Sequence, residues 1–300
     1  MIERVFAGAA VIDLRLTLAP LRHGPQDPTM RLTYPRGDAW RAMRTPEGDA
    51  TARYAYDGLD VRVSGWGPGA GWALEHAADA IGLTDDVESF SPSEDPVRRF
   101  HAHQSGLRMC RSNLVMQSLI PTILEQKVTT VEAHRAYRGL VYRYGERAPG
   151  PVKLFLPPDP KLLASLPYDG FHNFGIEARR ADFIRTACSY AKRLEETVTM
   201  PRPEARKRLR ALPGIGAWTV AEIERVVFGD ADAVRPNDFH LPHTVAWVLA
   251  GERRADDDRM MELLEPYRGH RARAALLIEL SGNTPPRRAP RQRVRAIQYY

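Results

Sequence analysis

The chain has 300 residues, a formal net charge of +6 and a sequence pI near 9.4. Hydrophobic residues make up 43% and charged residues 27%, a balance that predicts a soluble chain with a packed core. No apolar run approaches the ~20 residues that span a bilayer, and the start, from Met1 to Phe6, lacks the basic-then-apolar pattern of a secretory leader. Cys110 and Cys188 are too few and too far apart for a disulfide framework or a four-thiolate cluster, so two reduced cysteines in a cytoplasmic protein are expected. The positive excess favours a polyanionic partner without identifying one.

In chain order, Val11–Leu18 alternates apolar Ile12, Leu14, Leu16 and Leu18 with polar Asp13, Arg15 and Thr17, which predicts a half-buried strand. Further strands are expected at Met30–Tyr34, Ala39–Thr45, Thr51–Tyr56 and Leu59–Ser64, with Asp57-Gly58 as a hairpin turn. Pro68-Gly69 opens a helix over Ala70–Ile81. From Val97 the pattern becomes helical. An amphipathic stretch carries Leu114, Leu119 and Ile123, with Pro121 as a local break or kink. Helices follow at Thr130–Tyr144, Asp159–Leu166, Glu177–Arg193, Glu204–Leu212, Ala217–Phe228, Leu241–Leu249, Arg259–Tyr267 and Gly269–Leu280. The reading is α+β: a small antiparallel-sheet domain over 1–95, a mostly helical domain over 96–285, and a basic tail over 286–300. That tail holds Arg287, Arg288, Arg291, Arg293 and Arg295, and its composition is that of a disordered terminus.

Between two of these helices lies Leu212-Pro213-Gly214-Ile215-Gly216-Ala217-Trp218-Thr219. Two glycines one residue apart permit a tight turn and a close approach of another backbone. The turn feeds a helix N-terminus, where free N–H groups and the dipole favour an anion. Arg206, Lys207, Arg208 and Arg210 just upstream make a DNA phosphate the natural anion; such contacts position a duplex without reading its sequence. A plain helix–turn–helix corner is the alternative. Downstream, in Asp232–Pro242, Pro242 fits the first turn of a helix and puts Asp238 at the helix start. An Asp there can cap the helix, and the helix N-terminus also keeps it ionised.

A Leu-Pro-Gly-Ile-Gly hairpin, a helix, and a loop ending in Pro-x-Asp resemble the helix-hairpin-helix/Gly-Pro-Asp superfamily of base-excision DNA glycosylases. Gly-Ile-Gly-x-Trp-Thr is similar to its bacterial 3-methyladenine DNA glycosylase II branch. Ile123–Thr129 and Gly175–Ala181 resemble two further family segments, and the strand-rich N-terminus fits the family's TBP-like extra domain more loosely. The resemblance implies Asp238 as the catalytic carboxylate and Trp218, Phe239 and Glu222 around the base pocket. It implies DNA contacts from Gln126, Lys127, Leu212, Gly214, Ile215, Gly216 and Thr219. The family inserts an apolar wedge near Gln126 and Lys127, so a lysine there is a departure. Carbonyls of Arg210, Leu212 and Gly214 are implied as ligands of a monovalent cation, Na or K, with no other cofactor required. Bifunctional relatives carry a Schiff-base lysine where Trp218 stands, and a tryptophan cannot form that imine.

The implied function is a monofunctional glycosylase that hydrolyses the N-glycosidic bond of everted, alkylated purines in double-stranded DNA, acting as a monomer without an obligate protein partner or a membrane. Alternatives are a non-catalytic DNA-binding protein and a glycosylase for deaminated or oxidised bases. A metal site at His240 and His243 lacks a third ligand at suggestive spacing.

Overall fold

The computed structural model describes residues 1–33, 38–93 and 95–286. The arginines of the basic tail and Tyr34 of the predicted second strand lie outside these residues. The chain forms β1 (Ile2–Phe6), α1 (Leu14–Leu18), β2 (Met30–Leu32), β3 (Ala39–Thr45), β4 (Gly48–Asp57) and β5 (Asp60–Trp66), followed by α2 (Ala70–Glu75), α3 (Ala77–Ala80) and α4 (Val97–His103). The helical body then runs through α5 (Val115–Leu124), α6 (Thr130–Tyr144), α7 (Pro160–Ser165), α8 (Asp169–His172), α9 (Ala178–Ser189), α10 (Ala191–Glu195), α11 (Arg202–Arg210) and α12 (Ala217–Val227). It closes with α13 (Leu241–Ala250), α14 (Asp257–Leu264) and α15 (Arg271–Leu280). The α+β reading holds.

The five strands form one antiparallel sheet in the order β1-β5-β4-β3-β2. The β4–β5 turn lies at Gly58-Leu59, one residue later than predicted, because Asp57 pairs with Asp60. Gly58 has φ 64°, a region that favours glycine. Strand β1 has no alternating pattern, since only Phe6 of its five residues is buried. It is held at the sheet edge by pairing with β5, where Glu3 accepts from Ser64 Oγ at 2.7 Å and from Arg62 at 3.0 Å. Helix α2 lies across β4 and β5, close enough that a Cβ on Gly65 would meet Leu74 at 2.5 Å. The predicted Ala70–Ile81 helix breaks at His76.

The predicted strand over Val11–Leu18 is not a strand. Asp13 accepts from Leu16 N–H at 2.9 Å and starts α1. Tyr56 takes the neighbouring backbone groups: its hydroxyl accepts from Leu14 N–H at 2.9 Å and donates to the Ile12 carbonyl at 2.7 Å. Ile12 is buried ahead of the helix, and from Leu14 the buried residues are Leu14, Thr17, Leu18 and Leu21, a three-to-four spacing that the apparent alternation hid.

Three apolar clusters organise the core. One joins α5, α6, α9, α11 and α12. A second lies under the sheet and includes Leu114 and Val226. The third joins Phe90 and Val97 to α13, α14 and α15, so the last helices return to the segment that follows the sheet. That return is locked by an ion pair between Arg273 of α15 and Asp85, both almost fully buried. Helix α5 runs through Pro121 without breaking. Its first N–H groups, of Val115 and Met116, each donate to Glu195 at 2.8 Å.

Removing one member of a buried pair leaves an uncompensated charge, which costs about 3–5 kcal/mol. Asp85→Asn is expected to lower the urea-unfolding free energy by about that amount; a loss under about 1 kcal/mol would show the pair to be solvated.

Candidate active site and glycine hairpin

Helices α11 and α12 enclose the glycine turn. Gly214 has φ 81°, and a Cβ there would lie 2.3 Å from the Phe183 ring; both conformation and crowding demand glycine. Gly216 is extended, and a Cβ there meets no atom within 4 Å. Helix α12 has no side-chain cap at Gly216, so the N–H groups of its first turn have no intrahelical partner. The Ile215 N–H, by contrast, is taken up inside the turn by the Leu212 carbonyl at 3.2 Å, and the Ile215 side chain is buried. It is therefore Gly214, Gly216 and the first turn of α12, not Ile215, that retain N–H groups for an external anion.

Two other residues expected to touch DNA are turned to the hairpin itself. Gln126 Nε2 donates to the Gly214 carbonyl at 2.9 Å and to Thr219 Oγ1 at 3.0 Å. Thr219 is 2% exposed, so its hydroxyl braces the turn from behind and does not face a ligand. Lys127 follows on the surface with φ 56°. The basic helix is partly neutralised from within. Arg206 is paired with Glu224 at 2.9 and 3.0 Å, and Arg208 with Glu196 at 2.8 Å. Lys207 and Arg210 are exposed and form no ion pair among the described residues. For the cation site, the Leu212 and Gly214 carbonyls each accept one bond and keep a second lone pair. The Arg210 carbonyl stands at the end of α11, where the dipole favours a cation.

Asn237, at φ 58° and with its N–H donating to Asp257 at 2.6 Å, turns the chain so that Asp238 faces α13. Asp238 Oδ1 accepts from the N–H groups of His240 at 2.9 Å and Leu241 at 3.0 Å. Oδ2 accepts from Trp218 Nε1 at 3.0 Å and lies 3.8 Å from Arg235 Nε. Burial alone would raise this carboxyl, but the Arg235 guanidinium, the indole N–H and the two backbone N–H groups outweigh it and hold its pKa below the usual value. The side chain remains 18% exposed and borders an open groove of about 480 Å³ that also touches Phe239, Pro242 and His243.

Trp218 and Phe239 do not share one environment. Trp218 is partly buried and bound to Asp238, whereas Phe239 is 81% exposed, its ring edge against His240. Glu222, one turn beyond Trp218, is fixed by Arg225 at 2.5 Å and lies 3.8 Å from Arg235. Those two arginines overcome the effect of burial and keep it ionised. Arg235 also reaches Glu279 of α15 at 2.7 Å, so it connects three carboxylates. Sequence reasoning assigned no role to Arg235; its signal was an opposite charge three residues before Asp238. It also passed over Glu125, half-buried at the end of α5, which burial and the nearby Glu222 push up to about 7. Among the described residues no three His, Cys, Asp or Glu side chains could hold a metal ion. His243 Nδ1 instead accepts from Ala255 N–H at 3.2 Å.

The arrangement has relatives. The Archaeoglobus fulgidus 3-methyladenine DNA glycosylase superposes with a TM-score of 0.78 at 18% identity, over 93% of this chain and 97% of that one. The two chains therefore share one fold. The Clostridium acetobutylicum 8-oxoguanine glycosylase/lyase bound to duplex DNA shares it, with a TM-score of 0.69 at 12% identity over 91% and 92% of the two chains. In sequence the chain is 25% identical to Escherichia coli DNA-3-methyladenine glycosylase 2 over 176 residues, 57% of this chain and 60% of that relative. The resemblance to the helix-hairpin-helix/Gly-Pro-Asp superfamily, and to its 3-methyladenine DNA glycosylase II branch, therefore stands. No family model matches the chain.

The two hairpin glycines are expected to separate in their effects. Gly214→Ala should cost at least about 2 kcal/mol through positive φ and the Phe183 clash. Gly216→Ala should stay within about 0.5 kcal/mol of the parent. Thermal unfolding of the two variants measures both; equal losses would contradict this geometry.

Proposed function

We propose that this protein is a monofunctional DNA glycosylase of base excision repair that releases alkylated purines from duplex DNA. The observation that carries the reading is the Asp238 carboxylate: ionised, held by three hydrogen-bond donors beside the Arg235 guanidinium, and still open to a groove.

The target base is stacked inside the duplex and must be everted, which costs a few kcal/mol and least for a damaged or mispaired base. Gly214, Gly216 and the first turn of α12 supply N–H groups to a phosphate, assisted by Lys207 and Arg210. Such contacts position the duplex on the site. The Arg210, Leu212 and Gly214 carbonyls would be the ligands of a monovalent cation, which would supply further positive charge for a phosphate. Lys127, exposed beside the Gln126 brace, enters the gap that the base leaves. As the glycosidic bond lengthens, the sugar acquires oxocarbenium character. A preorganised carboxylate beside it stabilises that charge and orients or deprotonates water. Trp218 and the backbone N–H groups keep Asp238 from swinging away or being neutralised by Arg235. A purine alkylated on a ring nitrogen is cationic and leaves without a strong general acid, and Phe239 offers it an aromatic face worth ~0.5–2 kcal/mol. With tryptophan at 218 there is no amine to form an imine with the sugar, so the product is an intact abasic strand.

Asp238→Asn is expected to lower single-turnover base release from methylated duplex by at least about 10²–10³-fold with duplex affinity nearly unchanged. Because the carboxyl is lowered in the folded protein, its charge and its contribution to stability are present above the unfolded value, near pH 4. Both are lost as pH falls through the still lower folded value, so the acid limb of the rate belongs below pH 4. A variant as active as the parent removes the mechanism. Binding with no base released from 3-methyladenine, 7-methylguanine, hypoxanthine or 8-oxoguanine duplexes would identify a non-catalytic DNA-binding protein.

Gly216→Ala is expected to weaken binding to damaged and undamaged duplex alike, since its Cβ enters the space through which phosphate approaches. Borohydride is expected to trap no protein–DNA adduct; a covalent adduct would establish lyase chemistry.

A further inference from the structure

His243 borders the groove beside Asp238 and takes no part in the chemistry above. It sits in the first turn of α13, five residues beyond Asp238, and both side chains line the same open volume of about 480 Å³. That is the size of a small-molecule site. Phe239 and Pro242 give the groove apolar surface, and the segment from Ala255 to Asp258 lines it from the start of α14.

The imidazole is oriented by the backbone. The Ala255 N–H donates to His243 Nδ1 at 3.2 Å. That bond occupies the Nδ1 lone pair and puts the proton of the neutral ring on Nε2. Among the described residues no hydrogen bond or ion pair engages Nε2, and the side chain is only half-buried. His243 therefore offers the groove a neutral, oriented N–H donor. Apart from the exposed Asn237 amide, the other polar side chains there are the carboxylates of Asp238, Asp256, Asp257 and Asp258. Asp256 accepts from the Arg259 N–H at 2.9 Å and Asp257 from the Asn237 N–H at 2.6 Å. Four carboxylates repel a phosphate. The part of an everted nucleotide that this groove admits is the base, and phosphate is left to the hairpin.

We propose that His243 is a specificity-determining donor to the departing base, and that it extends excision from cationic to neutral purines. This rests on the glycosylase reading above. When the N-glycosidic bond of a neutral purine breaks, its electron pair leaves with the base, which becomes anionic. The oxygen of water bonds to C1′, and the proton that water loses ends on the base. A hydrogen bond from His243 Nε2–H to a ring nitrogen or carbonyl oxygen of the purine stabilises the negative charge as it develops. Nε2 keeps its own proton throughout. A purine alkylated on a ring nitrogen starts cationic and leaves neutral, so it develops no such charge and gains little from the donor.

The test compares single-turnover release of neutral hypoxanthine and cationic 7-methylguanine from otherwise identical duplexes at saturating enzyme. The ratio of the two rates is read for the parent, His243→Ala and His243→Gln, each shown to be folded by thermal unfolding. His243→Ala should lower the ratio of hypoxanthine to 7-methylguanine release about tenfold. His243→Gln keeps an N–H donor and should restore part of it. A merely structural role would slow both lesions together and leave the ratio where it was. A ratio unchanged in both variants overturns the proposal and leaves the glycosylase reading intact. So does a parent that releases 7-methylguanine but no hypoxanthine. Weaker binding of His243→Ala to damaged and undamaged duplex alike, with the ratio unchanged, would put His243 on a phosphate and overturn the proposal as well. A parent that releases neither base removes the glycosylase reading itself.

Discussion

The site depends on one carboxylate being shared. Asp238 starts α13 through the His240 and Leu241 N–H groups, binds the indole of α12, and balances Arg235. Each contact removes a freedom. The backbone N–H groups fix the plane of the carboxylate, the indole fixes its distance from α12, and the guanidinium keeps it charged. An aspartate held only by Arg235 would be drawn into an ordinary ion pair. Held by neutral donors as well, it keeps a full charge and remains partly open.

The hairpin is built on the same logic of restraint. Phe183 fills the space against Gly214, and Gln126 grips the turn from α5. The glycine pair therefore contains one member required by the fold and one that leaves its front open. Charge is rationed in the same way. Of the four basic residues leading into the turn, Arg206 and Arg208 are committed to Glu224 and Glu196. Formal charge thus overstates what this helix can offer to a polyanion. What it does offer is concentrated beside the uncapped end of α12, where the dipole adds to it.

Long-range polar links hold the functional parts in register. Arg235 connects the Asp238 loop to α12 and α15, and Arg273 pins α15 to the loop that follows the sheet region. The loop from Arg22 to Thr29 seats His23 edge-on against the Tyr137 ring of α6, with ring centroids 4.9 Å apart. The N-terminal part is thereby anchored to the helical body.

Much was legible from local order. Helix α6 matches its expected span, Thr130–Tyr144, because its apolar period and its Thr129–Glu132 capping box are both local signals. The hairpin and the placement of Asp238 at a helix start were legible because Gly and Pro restrict the backbone by themselves. The strand read at Val11–Leu18 failed because Tyr56, more than forty residues away, claims the backbone groups a strand would need. Strand β1 escaped notice because an edge strand exposed on both faces carries no alternation. Likewise, the sequence by itself determined the turn chemistry, the candidate carboxylate and the absence of a lysine at 218. Only the tertiary structure decided which charges are spent and which N–H groups stay open. Those are properties of neighbours brought together from distant positions, and no local pattern encodes them.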